Sequence, residues 1–240
     1  MGQIKVSDLT VEVVRKEIRN LHLGVYPPNG RVRVAAPMAV SDAAVRLAVI
    51  GKLGWIRRQQ ARFAAQPRES RRRMVSGESH DFLGRRYRLR VRQLEGRGKA
   101  GVILRGKTHI EMQVRGETDA NQRERLLQAW YREQLKALVP PLLERWQKAI
   151  GVRAAAFGVR RMKTKWGSCN IASRRVWVNL ELAKKPVRCV EYILVHELVH
   201  LQVRRHDDQF TALMDRYLPG WRARRDELNR GTLGHETWDY

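Results

Sequence analysis

The sequence predicts an α+β fold, in which a β-rich first half of the chain precedes a mainly helical second half. Apolar and polar residues alternate in short runs before residue 117, and a period of two is typical of strands that bury one face. After that point, apolar residues recur three and four positions apart, as they do along one face of a helix. We therefore expect a basic, β-rich region with one helix at 1–117 and a second domain at 118–240.

A hairpin and a helix are predicted in the first 65 residues. In the run LHLGVY, Leu21, Leu23 and Val25 alternate with polar or small residues. A Pro-Pro-Asn-Gly turn signal follows, and the alternation resumes in RVRVAAP, which together predict a β-hairpin. Ser41 can cap a helix that extends to about Phe63, because apolar residues then recur at helical spacing, at Val45, Val49, Leu53 and Ile56.

A second group of strands follows the basic segment 66–77, which we interpret as a linker. Alternate positions of YRLRVRQL are apolar, and the arginines between them, Arg88, Arg90 and Arg92, share the opposite face. Two more strand patterns, GVILRG and HIEMQV, flank a turn. The arginine face is either the solvated side of a half-exposed sheet or a surface that attracts a polyanion, and the sequence leaves both interpretations open.

Helical periodicity governs residues 119–150, where Pro140-Pro141 is expected to kink or split the segment. Two strand patterns, AAAFGVRRM and RRVWVNLEL, then flank a Trp-Gly-Ser-Cys stretch that we interpret as a turn. Pro186 suits the first position of a helix, which is expected to continue to about Val203. Two shorter helices are predicted after it, at Asp208–Tyr217 and Gly220–Leu228.

The composition limits the partners and the compartment. Lys and Arg number 48 against 24 Asp and Glu, a formal net charge of +24, and a field of this sign attracts nucleic acid, nucleotides or anionic lipid. The two cysteines, Cys169 and Cys189, are too few for a disulfide framework and favour a reducing cytoplasm. The sequence has no run of about 18 apolar residues, so we expect no membrane partner.

The stretch VHELVHLQVRRH, at Val195–His206, contains the candidate metal-binding and catalytic residues. On a helix, residues four apart lie on one face, so His196 and His200 can bind one ion. His206 can supply a third ligand if the chain turns back after the helix. Three protein ligands leave one position open for water, as a catalytic zinc site requires, and Glu197 can then act as the general base. We expect one zinc ion per chain.

Several neighbouring residues have two interpretations each. Lys165 and Ser168 are candidates for contacting the substrate or stabilising an oxyanion. The alternative for this stretch is structural, with Trp166 packed and Cys169 buried. Glu191 is a candidate for orienting a ligand imidazole, and it can equally cap or pair on the helix surface.

A family resemblance rests on five segments of the second half: Arg160–Asn170, Val178–Leu182, Glu191–Leu201, His206 with Phe210, and Tyr217–Trp221. They resemble the YgjP-like branch of bacterial metal-dependent hydrolases, which is related to the SprT-like zincin metallopeptidases. The resemblance implies a zincin-like catalytic domain, in which the HExxH helix packs on a small sheet. It also implies zinc ligands at His196, His200 and His206 and a general base at Glu197. Val203 stands where the HExxHxxGxxH pattern has glycine, which argues against a metzincin.

Three functions are compatible with these observations. The first is a zinc-dependent hydrolase of metallopeptidase type, in which a metal-activated water attacks a peptide amide. The second keeps the metal but hydrolyses a nucleotide phosphoanhydride, as a pyrophosphatase does. The third is a nucleic-acid-associated protease, which the SprT-like resemblance and the net charge permit, although the sequence has no helix-turn-helix, zinc-finger or RNP signature. The substrate is accordingly expected among proteins, peptides and nucleotides.

Overall fold

The structure is a computed structural model that describes residues 2–26, 29–65, 72–95, 97–162 and 165–230. Part of the predicted linker, residues 66–71, lies outside them. The chain forms two compact units, one of residues 1–71 with 230–240 and one of residues 72–229. Both contain helices and small sheets, and this α+β architecture agrees with the fold class predicted from the sequence.

The first unit contains a four-stranded sheet. Its strands are β1 (Gly2–Val6), β2 (Leu9–Lys16), β3 (His22–Tyr26) and β4 (Arg31–Pro37), in the order β1-β2-β4-β3. The antiparallel pairing of β3 with β4 confirms the predicted hairpin. The strands β1 and β2 were not predicted, and β2 pairs parallel with β4.

Two helices stand where one was predicted. α1 (Asp42–Ile50) begins at Ser41, whose hydroxyl oxygen accepts a hydrogen bond from the backbone N–H of Ala44 at 3.2 Å. It ends at Gly51, and α2 extends over Leu53–Ala65. Glycine has a low helix propensity, which explains the break. The helices and the sheet bury a common core that includes Val11, Val34, Val45, Val49 and Ile56.

The second unit begins with another four-stranded sheet. Its strands are β5 (Ser79–Phe82), β6 (Arg85–Gln93), β7 (Gly101–Arg105) and β8 (His109–Val114), in the order β5-β6-β8-β7. β6 and β8 are parallel. One face of this sheet is buried in the core of the unit, with Leu89, Ile110 and Met112, and the arginines of β6 are exposed on the other face, as the alternating pattern predicted.

The sheet is followed by one long helix, α3 (Ala120–Ile150). Asp119 and Gln122 form a capping box at its start, and Gly151, with φ of +76°, ends it. Pro140 and Pro141 do not split the helix as predicted. Each proline removes one backbone hydrogen bond, but buried residues on both sides keep the helix on the core, namely Leu135, Val139 and Leu143. None of the helices in the described part of the chain combines the length and the apolar character needed to cross a membrane.

A three-stranded sheet and three helices complete the second unit. The strands are β9 (Ala156–Arg160), β10 (Gly167–Asn170) and β11 (Arg175–Asn179), in the order β10-β11-β9. A 3₁₀ helix at Leu180–Lys184 leads into α4 (Val187–Val199), which is followed by α5 (Asp208–Tyr217) and α6 (Trp221–Arg230).

α4 is the buried centre of the second unit. Nine of its 13 residues are buried, so it contacts protein on nearly all sides, including α3, β10 and β11. Two sequence interpretations change here. The Trp-Gly-Ser-Cys stretch is not a turn, because β10 begins at Gly167, and α4 ends at Val199 instead of continuing to Val203.

The β5–β8 sheet shares one hydrophobic core with α4, although it precedes residue 118. The sequence-based division at 117/118 therefore does not follow the boundary between the compact units, which lies between residues 71 and 72. The change from strand to helix periodicity marks a change of secondary structure inside one unit. As a statement about which part of the chain is catalytic, that division stays a prediction.

The turn between β5 and β6 is docked on the start of α4. The backbone N–H groups of Leu83 and Gly84 donate to the carbonyl oxygens of Ala183 and Lys184, at 2.8 and 3.2 Å. Gly84 has φ of +79°, and a Cβ there would lie 2.6 Å from Cγ of Pro186. Glycine is thus required at this turn both by the backbone conformation and by the contact with the residue that precedes α4.

Gly84→Ala is expected to lower the free energy of unfolding by about 2–4 kcal/mol, the sum of left-handed backbone strain and overpacking against Pro186. Gly106→Ala is the matched control, because Gly106 also has a positive φ, +60°, in a hairpin turn, but a Cβ there would contact nothing within 4 Å. It should cost only the strain, about 1–2 kcal/mol. Urea denaturation of both variants measures the difference, and equal losses would contradict the docking.

Candidate metal centre

Three histidines converge at the end of α4. His196 lies in the last turn of the helix, His200 caps its C-terminus, and His206 lies just before α5. Each histidine offers one ring nitrogen as a candidate ligand atom, and these three nitrogens lie within 4.8 Å of one another. Nε2 of His196 lies 3.0 Å from Nε2 of His206. The structure therefore brings together the three residues that the sequence predicted as metal ligands.

The turn between His200 and His206 is held in place by its own residues. Val203 is buried, and its carbonyl oxygen lies 3.1 Å from Nδ1 of His200. Gln202 donates to the carbonyl oxygen of Ile150 at the end of α3, at 3.0 Å. The chain thus folds back over a short distance, as a third ligand six residues after the second requires.

The histidines fit a metal ion better than they fit a purely structural role. A carbonyl oxygen can only accept, so Nδ1 of His200 carries the proton and its Nε2 offers a lone pair. Burial, and then the neighbouring His200 and His206, lower the pKa of His196 to about 3, which keeps its imidazole neutral. Nδ1 of His196 is buried with no hydrogen-bond partner among the described residues, unlike a core histidine fixed by hydrogen bonds. Neutral imidazole nitrogens are the donors that zinc and related transition metals prefer.

Phe210 forms the apolar floor of the histidine cluster. Its ring centroid lies 4.9 Å from those of His196 and His200 and 4.7 Å from that of His206. The side chain of Asp207 caps α5 by accepting a hydrogen bond from the backbone N–H of Phe210 at 3.0 Å, which fixes the start of α5 below the cluster. Phe210 limits the space and the hydration on one side of the three rings.

Glu197 is buried beside the cluster, with 5% of its surface exposed. Burial raises the pKa of Glu197 to about 8, and the charge of Lys165 and the backbone N–H of Cys169 oppose that increase. A Cβ at Gly167 would lie 2.6 Å from Oε1 of Glu197 and 2.7 Å from Cγ2 of Ile193. Gly167 is therefore the residue that lets β10 come close enough to α4 for the backbone to contact the carboxylate.

Asn179 fixes the segment that leads into β10 and was not predicted as a site residue. Its Nδ2 donates to the carbonyl oxygens of Met162 and Lys165, at 2.8 and 2.7 Å, and its Oδ1 accepts from the backbone N–H of Met162 at 3.2 Å. Asn179 is 4% exposed. A polar residue at the end of the apolar strand VWVN is the signal that could have identified it, since buried polar groups need partners.

A cleft of about 540 Å³ opens beside the histidines and Glu197. The predicted contact residues Lys165 and Ser168 both line it. Further lining residues were not predicted, among them Tyr192, Arg204 and Arg225. Tyr192 precedes His196 by one helical turn, and its ring meets the imidazole edge to face at 5.8 Å. This i, i+4 spacing was a signal available in the sequence.

The side chains of two residues near the histidines are unsuited to a direct chemical role. The Glu191 carboxylate forms an ion pair with Arg145 and accepts hydrogen bonds from Nε1 of Trp146 at 3.1 Å and from Arg224 at 2.5 Å. These partners connect α3, α4 and α6, and none of them is a histidine. Glu191 is five residues from His196, on a different face of the helix. Cys169 lines the cleft, but burial raises the pKa of its thiol to about 11, and a protonated thiol is a poor nucleophile.

The comparisons with known proteins agree with a metal site. A family model described as "YgjP-like, metallopeptidase domain" matches residues 19–231. Two solved structures are similar in part, each a metallopeptidase zymogen: abylysin of Pyrococcus abyssi and jannalysin of Methanocaldococcus jannaschii. The first is 21% identical, covers 38% of this chain and 90% of its own, and has a TM-score of 0.35. The second is 17% identical, covers 37% and 88%, and has a TM-score of 0.33. These TM-scores are too low to show a shared fold. The curated proteins yielded no match.

Replacement of His206, the third predicted ligand, is expected to remove the metal. In His206→Ala two histidines remain, too few ligands for a stable site, and we expect the metal content after dialysis to fall far below one ion per chain. His22→Ala is the control, because His22 is an exposed strand residue of the first unit. Elemental analysis after dialysis gives the metal content of each variant. Equal, stoichiometric metal in wild type and His206→Ala would exclude the three-histidine site.

Proposed function

The chain belongs to the YgjP-like family of metallopeptidase domains, and from this premise we propose that it is a zinc-dependent peptidase with a zincin-like catalytic domain. The observation that carries the proposal is the convergence of three histidine nitrogens within 4.8 Å, next to a buried glutamate on the same helix. Two ligands and a carboxylate within one helical turn are the arrangement expected for metal-assisted hydrolysis of an amide. The cytoplasmic location stays a prediction from the low cysteine content.

His196, His200 and His206 would hold the zinc ion. When bound, the ion supplies Lewis acidity, which polarises a carbonyl oxygen and lowers the pKa of a water molecule. The residues of the chain have the remaining tasks. The Val203 carbonyl keeps the His200 ring in the required orientation, and Phe210 restricts water on the apolar side of the rings.

Glu197 would act as the general base. Its carboxylate takes a proton from the attacking water while the water oxygen forms a bond to the carbonyl carbon of the substrate. When the C–N bond breaks, the protonated Glu197 returns that proton to the leaving amine nitrogen. The backbone N–H of Cys169 and the charge of Lys165 favour the ionised carboxylate, and a cation held by the histidines would act in the same direction.

An extended peptide could bind along β10. Among the described strands, β10 pairs only with β11 and thus forms an edge of its sheet, and Gly167, Ser168 and Cys169 line the cleft. A substrate strand added at such an edge is held by main-chain hydrogen bonds. Lys165 and Ser168 would then contact the substrate, and the Lys165 ammonium group could stabilise negative charge that develops on the carbonyl oxygen.

Nucleotide phosphoanhydride hydrolysis is the second candidate function. The observation that favours it is the set of basic side chains lining the cleft, Lys165, Arg204 and Arg225, because guanidinium and ammonium groups bind phosphate. Against it, Glu197 is the one carboxylate among the described residues of the cleft wall. Magnesium in nucleotide sites is usually held by one or two carboxylates together with the substrate phosphates, and the cleft has no carboxylate among its described residues besides the buried Glu197.

Glu197→Gln is expected to reduce peptide hydrolysis by about 10²- to 10⁴-fold, the usual contribution of a general base, while the zinc content stays that of the wild type. Glu133→Gln is a matched control, since Glu133 is exposed on α3 and pairs with Lys136. Turnover and metal content are measured on the same preparations. Wild-type turnover by Glu197→Gln would show that another group is the base.

A substrate panel separates the two candidate functions. The purified chain is incubated with an unfolded protein and with nucleoside triphosphates, each with and without a metal chelator. We expect new peptide termini, detected by mass spectrometry, that disappear with the chelator and in Glu197→Gln. Release of phosphate or pyrophosphate, without peptide cleavage, would overturn the peptidase proposal in favour of the phosphoanhydride hydrolase.

A further inference from the structure

The exposed face of the β5–β8 sheet carries a row of arginines that the proposed peptidase chemistry does not use. Arg86, Arg88, Arg90 and Arg92 occupy alternate positions of β6 and are all exposed. Alternate residues of a strand lie about 6.7 Å apart, so these four side chains, the arginine row, extend over about 20 Å. Because the other face of β6 packs on the core, the row is fixed to a rigid element.

Two carboxylates lie on the same face, and each is already bound by arginine. Asp81 is 3.5 Å from Arg86 at one end of the row. Glu111 of β8 is 3.5 Å from Arg92 and 3.4 Å from Arg105 of β7. The Glu111 carboxylate is 6% exposed, and its pKa is lowered mainly by the hydrogen bond from Gln113 and also by Arg105. The ionised Glu111 carboxylate therefore restrains the guanidinium groups of Arg92 and Arg105 at the surface.

The two central arginines form no ion pair among the described residues, although Glu111 is the cross-strand neighbour of Arg90. Arg88 and Arg90 are exposed, and among the residues that the structure describes neither side chain has a carboxylate partner. Five arginines thus share this face with two carboxylates, which leaves an excess of three positive charges. Guanidinium groups hold their charge at any physiological pH and bind phosphate oxygens through two parallel hydrogen bonds.

We propose that the arginine row binds the sugar-phosphate backbone of double-stranded DNA. The partner must present negative charges at regular, short intervals over about 20 Å, as a duplex does. The row offers hydrogen-bond donors only, which suit phosphate oxygens. This inference does not depend on the proposed peptidase activity.

β6 itself presents no exposed aromatic ring. Tyr87, the aromatic residue of β6, is 7% exposed and belongs to the core, so β6 provides no ring on which unpaired bases can stack. Contacts between guanidinium groups and phosphates do not read base edges. The binding is therefore expected to be independent of sequence and strongly dependent on salt.

The test compares two double variants of the full chain that lose the same charge. Arg88→Gln/Arg90→Gln removes the unpaired centre of the row. Arg125→Gln/Arg153→Gln is the control, with exposed arginines on α3 and just after it. Fluorescence anisotropy with a labelled 30-base-pair DNA duplex gives the affinity at several salt concentrations. A duplex RNA and polyglutamate of equal charge serve as competitors, and thermal unfolding reports the fold of each variant.

We expect the Arg88/Arg90 variant to bind about tenfold more weakly at low salt, with a log–log salt dependence shallower by about 1.8, because each lost phosphate contact contributes about 0.9. The Arg125/Arg153 variant should bind like the wild type, and Arg88→Lys/Arg90→Lys should keep most of the affinity. Equal losses in both Gln variants would overturn the proposal, because net charge alone would then explain binding. Stronger competition by RNA or polyglutamate than by DNA would overturn the choice of partner.

Discussion

The close approach of β10 to α4 at Gly167 is the contact on which the rest of the site depends. A buried carboxylate is costly unless hydrogen bonds and opposite charges compensate for the lost water. Here the backbone N–H of Cys169 and the charge of Lys165 supply that compensation to Glu197, and both lie at the strand that Gly167 allows to approach the helix. The same approach sets the cleft wall against the histidines. The absence of a Cβ atom at Gly167 therefore allows Glu197, the edge strand and the three histidines to lie close together.

Much of the site was predictable because its chemistry depends on local spacing. His196 and His200 are four residues apart, and helical geometry alone places them on one face. The β3–β4 hairpin and the alternation of β6 followed in the same way from patterns within a few residues. His206 required one further assumption, that the chain turns back, and the buried Val203 with its carbonyl bond to His200 is the physical reason that it does.

The features that sequence reasoning missed depend on partners distant in the chain. Asn179 holds the carbonyl oxygens of Met162 and Lys165, and nothing near Asn179 in the sequence indicates those acceptors. For Glu191 both interpretations stayed open in the sequence, because its pairing with Trp146 and Arg224 instead of an imidazole depends on the packing of three helices. Pro140-Pro141 was expected to kink or split α3, and α3 is not split, because a long buried stripe outweighs the loss of two backbone hydrogen bonds.

The docked turn at Leu83 and Gly84 limits where the chain can be truncated without loss of packing contacts. That turn connects the β5–β8 sheet to the helices around the candidate metal centre. Two further contacts do the same: Phe82 stacks on Tyr131, and the Tyr131 hydroxyl donates to the carbonyl oxygen of Asp81 at 2.7 Å. A fragment that begins at residue 118 would expose the apolar side of α3 and leave the start of α4 without support. A fragment that keeps these contacts, in evolution or in a cloning design, therefore has to include the whole segment 72–229.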